Sequence, residues 1–174
     1  MKPSTVRLLQ VLASALALAG PPGAAGAADD VAKAKPVKPA DAAQLERGRY
    51  LVRIAGCNDC HTAGYAPGGG ATPEKEWLMG DRLGYRGPWG TTYPVNLRLY
   101  MQGISEDQWV KAAKTMKTRP PMPWFALNAM TEPDLRAIYR LVRSLGPAGP
   151  AAPAFVPPDR EPPPPFIQWP APPK

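Results

Sequence analysis

A chain of 174 residues with a formal net charge of +7 suits one domain with extensions. Its basic residues are spread among acids and no nucleic-acid-binding motif occurs, so nucleic acid is set aside as a partner. No internal repeats are present.

The first residues read as a targeting segment. Lys2 and Arg7 form a positive stretch ahead of a short apolar run at 8–19, and Ala25-Gly26-Ala27 has the small-x-small form of a cleavage site. Residues 1–27 are therefore predicted to be a signal peptide, and the apolar run is short for a bilayer span. Losing them leaves 19 basic and 14 acidic residues, a formal +5, which suits an acidic partner or an anionic surface. No later segment is long and apolar enough to cross a membrane, so the mature chain is expected to be soluble in the periplasm. Residues 28–40, rich in Ala, Lys and Pro, read as a flexible leader.

The spacing of Leu45, Gly48, Val52 and Ala55 predicts a helix over 42–56, opened by Asp41 with Gln44. Residues 62–104 are rich in Gly and Pro and predict a long loop with little regular structure. Ser105 with Gln108 forms a capping box for a helix at 106–117, with Trp109, Ala113 and Met116 on its apolar face. Pro120 and Pro121 stop it. Thr131 with Asp134 opens a last helix, with Pro133 in its first turn and a stripe of Leu135, Ile138, Tyr139, Val142 and Leu145. From Gly146 onward 12 of 29 residues are proline, which predicts an irregular tail without helix or sheet, dispensable beyond about residue 149. The domain is thus expected at 41–145, all-α, with three or four helices and long loops.

The chemistry lies at 57–61, Cys-Asn-Asp-Cys-His. C-x-x-C-H is the attachment string for c-type haem. Thiols three residues apart on a helical turn reach the two vinyl groups, and the adjacent His61 points at the iron. A long loop then becomes reasonable, because the cofactor supplies core. A redox dithiol asks for a βαβ setting, which is not visible. A structural disulfide leaves His61 without a role. Zinc asks for more ligands, and His61 is the only histidine.

A lone histidine rules out bis-histidine ligation within the chain and points to methionine as second ligand. Met116 and Met130 read as packing residues. Met79 and Met101 lie in the loop region and stay open. Met122, bracketed by Pro121 and Pro123 between the two later helices, is the first choice.

These stretches resemble the class I c-type cytochromes, in particular the mono-haem domains found beside periplasmic dehydrogenases. The resemblance covers about 45–145: GRYLVRIAGCNDCHT, PWGTTYPVN, GISEDQW, PPMPWF and TEPDLRAIYRLVRSL. It implies a cytochrome c-like fold around one covalent haem, attached at Cys57 and Cys60, with His61 and Met122 as axial iron ligands. It implies a crossing of the first and last helices near Gly48 and Tyr139. It also implies a proline carbonyl, with Pro73 as candidate, accepting from the His61 ring. Trp77, Tyr85, Trp89 and Tyr93 could line the haem, and Arg82 and Arg86 could pair with its propionates. The implied function is electron transfer between redox proteins, without catalytic residues. A haem enzyme or gas sensor with a labile sixth ligand is the alternative. Lys111, Lys114, Lys117 and Arg119, with no acid between them, are a candidate docking patch.

Overall fold

The computed structural model describes residues 39–170. The predicted signal peptide and most of the predicted leader lie outside the described residues.

Helix α1 spans Pro39–Ile54, starting ahead of the predicted boundary and placing Asp41 in its first turn, where a carboxylate favours the helix dipole. Gly56, at φ 68°, then turns the chain into α2, Cys57–His61. Helices α3 (Leu97–Tyr100), α4 (Glu106–Thr115), α5 (Trp124–Ala129) and α6 (Glu132–Leu145) follow. The capping box at Ser105 and Gln108 is formed in both directions. Thr131 caps α6 by accepting from the Asp134 amide. One core joins α1, α4 and α6, with Val52, Ala113, Leu135, Leu141 and Val142 fully enclosed.

The packing of α1 on α6 is set by Gly48. A Cβ there would lie 2.5 Å from the Ala137 carbonyl oxygen and 2.8 Å from Leu141 Cβ. Tyr139 is one residue round from this contact and donates instead to the Ile104 carbonyl at 2.8 Å.

The all-α expectation is overturned by a three-stranded mixed sheet. Strands β1 (Gly84–Gly87) and β2 (Gly90–Thr92) form an antiparallel hairpin across Pro88-Trp89, with Tyr85 opposite Thr92. Strand β3 (Phe166–Gln168) pairs with β1 in parallel, Ile167 opposite Tyr85. The predicted loop at 62–104 is therefore structured: it holds a 3₁₀ turn at Glu74–Glu76, the hairpin and α3.

The tail is corrected with it. Prolines lack an N–H and are confined to strand edges and flanks. Here they flank a proline-free stretch that does the pairing. Trp169 N donates to Arg86 O at 2.7 Å, and the Pro165 carbonyl accepts from Gly84 N at 3.0 Å. Further upstream, Thr91 and Val156 exchange both backbone hydrogen bonds, at 2.7 and 3.0 Å.

One buried charge ties these parts together. Arg98 is 6 % exposed and has no carboxylate partner among the described residues. Its guanidinium donates to the carbonyls of Lys75, Leu145 and Gly146, the last two at the end of α6, where a cation suits the helix dipole. Among the described residues no helix is long and apolar enough to cross a membrane.

Candidate functional site

Helix α2 carries the motif. Cys57 and Cys60, three residues apart on one turn, share a face. Neither is in a disulfide. Burial pushes the Cys57 thiol up to about 11. Redox dithiols work with thiols shifted the opposite way. A helix-borne pair with a raised Cys57 is therefore poorly suited to disulfide exchange. The Cys60 sulfur accepts from the Tyr85 hydroxyl at 3.5 Å, a contact that ties α2 to β1.

His61 is 9 % exposed. Its Nδ1 lies 2.8 Å from the carbonyl oxygen of Val95. A carbonyl only accepts, so Nδ1 carries the proton and the Nε2 lone pair stays free. Burial lowers the His61 pKa, keeping the ring neutral. A neutral imidazole with Nδ1–H held by a carbonyl is the form that ligates metal through Nε2. The acceptor suggested by resemblance, Pro73, is corrected to Val95.

The backbone around the motif is held from below. Thr62 Oγ1 donates to Asn58 Oδ1 at 2.7 Å and accepts from Leu78 N at 2.8 Å. Leu78 is fully buried and sits at φ 62°, a left-handed conformation costing a side chain about 1 kcal/mol. Its carbonyl accepts from Leu97 N at 3.0 Å. Gly80 N donates to His61 O at 2.8 Å, and a Cβ on Gly80 would lie 2.8 Å from the Pro94 carbonyl. The chain after the motif thus packs against the segment that holds the His61 ring.

The methionines separate by place. Met101 is fully buried in the hydrophobic core. Met79 packs under the tail, its sulfur 3.2 Å from where a Cβ on Gly149 would lie. Met116 and Met130 end α4 and α5. Met122 lies between α4 and α5, half-buried against the core, with its carbonyl accepting from Trp124 N at 2.9 Å.

The aromatic and basic candidates also divide. Trp77 is core: its Nε1 donates to Thr72 O at 2.8 Å and its ring meets Tyr65 edge-on. Arg82 is exposed, and Arg86 pairs with Glu161. In contrast, Trp89 Nε1, Thr91 Oγ1 and Tyr93 Oη are buried without a partner among the described residues. Thr91 and Tyr93 lie on one face of the sheet, both against Gly84, whereas the Trp89 ring lies on the other face, over Gly87. Buried donors are normally satisfied. Thr91 was not foreseen from sequence, since a lone Thr carries no motif.

The cationic patch is largely engaged within the chain. Lys114 donates to the carbonyls of Asn128 and Met130, which closes the end of α5. Lys117 lies over Trp124 at 5.8 Å and Arg119 over Phe155 at 4.0 Å.

In the haem-free, reduced chain the two shifts act on opposite limbs. Below the usual histidine value of 6.5, unfolded His61 takes a proton that the buried ring refuses, so stability falls with falling pH. Above 9.0, the unfolded Cys57 thiol gives up a proton that the buried one keeps until about 11, so stability falls with rising pH. Urea midpoints are expected to peak between those values, and Cys57→Ser to shift the start of the alkaline limb from about 9.0 to about 10.0, where the Tyr85 hydroxyl, pushed up by burial and its bond to Cys60, takes over.

Among the described residues no three His, Cys, Asp or Glu side chains converge on one point. Haem iron asks the protein for two ligands, because the porphyrin supplies the rest. No family model matches this chain, and neither a curated protein nor a solved structure matches it. What the chain does is therefore read from its site.

Proposed function

We propose that the protein is a mono-haem c-type electron carrier. The observation that carries this is the C-x-x-C-H turn with its only histidine buried, neutral and held at Nδ1 by Val95 O. Cys57 and Cys60 would hold the haem through thioethers, and His61 and Met122 would ligate its iron. When bound, the haem supplies a one-electron couple between ferrous and ferric iron.

The chain's own residues do the rest. Val95 O fixes the His61 ring and raises its basicity as a ligand. A thioether from Met122 favours ferrous iron and raises the potential. Trp89 Nε1, unpartnered among the described residues on the sheet face that also carries Tyr85, would offer a donor to a propionate. With Met122 in the sixth position the iron would have no site left for substrate, and the reading is therefore transfer and not catalysis. The redox partners are proposed to be proteins of an exported chain, a periplasmic dehydrogenase among them.

The test is covalency. Expressed with a haem-attachment system, the protein is expected to keep one haem per chain through acid-acetone extraction. Cys57→Ala and Cys60→Ala should each reduce the haem retained. Complete extraction from the unmutated protein defeats the proposal.

A further inference from the structure

The ligand segments proposed above have a common neighbour that the site itself does not use, the tail. On the His61 side, Asn96 follows the Val95 carbonyl directly. Its Nδ2 donates to the tail carbonyls of Ala148 at 2.8 Å and Pro150 at 3.0 Å. On the Met122 side, Arg119 lies three residues upstream of the ligand with its guanidinium 4.0 Å from the ring centre of Phe155.

Phe155 is itself registered. The two hydrogen bonds between Val156 and Thr91 fix the tail against β2. The ring lies over Gly90, where a Cβ would be 2.8 Å from two of its atoms. The same hairpin reaches the approach to Met122 a second time, since Thr92 Oγ1 donates to Pro120 O at 2.7 Å. Between Arg119 and Met122 stand two prolines, and a third follows. Fixed φ angles make that stretch stiff, so a displacement at Arg119 is passed to Met122 instead of being absorbed.

We propose that residues 146–169 form a brace across both ligand segments, and that Phe155, acting through Arg119, is a positioning residue for Met122. The proposal rests on the electron-carrier reading for its ligand. A tail that merely covers apolar surface would lend stability without affecting the ligand. A brace sets how readily the sixth position opens.

The test uses the full-length, haem-loaded protein. Phe155→Ala removes the ring, Arg119→Gln removes the cation from the exposed partner, and Phe155→Tyr keeps the ring. Displacement of the sixth ligand by imidazole in the ferric protein is expected to be about threefold faster in Phe155→Ala and Arg119→Gln, the factor of an exposed cation–π contact. Loss of the native visible spectrum should begin at lower pH in both. Phe155→Tyr should match the parent. Amide exchange should rise at 118–124 and stay unchanged in α1 and α6.

A lower melting point with unchanged imidazole rate and pH profile overturns the brace. So does exchange that rises evenly over the chain. Should Phe155→Ala fail to fold, Arg119→Gln decides on the same readouts. If the unmutated chain holds no haem, the electron-carrier reading fails separately. Exchange at 118–124 then decides the brace alone: selective loss of protection upholds it, and equal protection overturns it.

Discussion

Met122→Ala in the haem-loaded protein is expected to lower the reduction potential by on the order of 0.1–0.3 V, a fraction of the roughly 0.8 V over which axial ligands tune haem. The thioether favours the ferrous state, and its removal leaves water or an empty position in its place. The mutant should then bind carbon monoxide readily, while covalent haem content stays the same. Redox titration and carbon monoxide difference spectra check this. The placement of the other methionines sharpens the control. Met79 packs against Gly149, and Met101 is fully buried in the core. Met79→Ala should leave the potential almost unchanged. If Met79→Ala shifts the potential and Met122→Ala does not, the ligand assignment is wrong. Ready carbon monoxide binding by the unmutated protein would favour a gas-binding or enzymatic haem instead.

Gly48→Ala should destabilise the protein by about 2 kcal/mol, and Gly48→Val by about 3 kcal/mol or more. On an exposed helix face, alanine for glycine gains up to about 1 kcal/mol. Here the sign reverses, because a Cβ would sit 2.5 Å from the Ala137 carbonyl oxygen. A backbone oxygen inside α6 cannot swing aside, so the two helices must part. Denaturant midpoints of the loaded protein measure the loss. Leu141→Ala in the Gly48→Ala background should recover nothing, since alanine keeps the Cβ that makes the 2.8 Å contact and the Ala137 carbonyl stays in place.

The helices were legible where their ends carry chemistry. Ser105 with Gln108 and Thr131 with Asp134 give local signals, and the structure forms both caps. The apolar stripe of α6 likewise follows from spacing, with Leu135, Ile138 and Val142 buried. The sheet was not legible. Its strands are three or four residues long, and β3 pairs with β1 across some eighty residues of chain. A count of prolines argues against strands, yet it says nothing of the proline-free triplet Phe166–Gln168. α5 follows a proline-rich loop and spans six residues, too few for a periodic pattern.

The site shows the same division. Cys57, Cys60 and His61 are adjacent in sequence, so their spacing is visible there. The partner of the His61 ring is 34 residues away, and a backbone carbonyl has no sequence signature. The Lys111 to Arg119 run keeps all four cations exposed, and what sequence does not show is the neighbours they also touch. Three of its four cations meet carbonyls or aromatic rings within the chain.

The parallel pairing of β3 with β1 also sets an order of events. The residues that complete the sheet stand about eighty residues along the chain from their partners. Closing so long a stretch is slow compared with forming the local helices. The turn at 57–61 and its helix α1 are then built while the sheet is still a hairpin and the far end of the chain is loose. A bulky planar group enters a half-assembled pocket more easily than a finished one. On the proposed electron-carrier reading, the final strand would close the sheet after haem is taken up, and a chain cut short of Phe166 would leave β1 unpaired on that side.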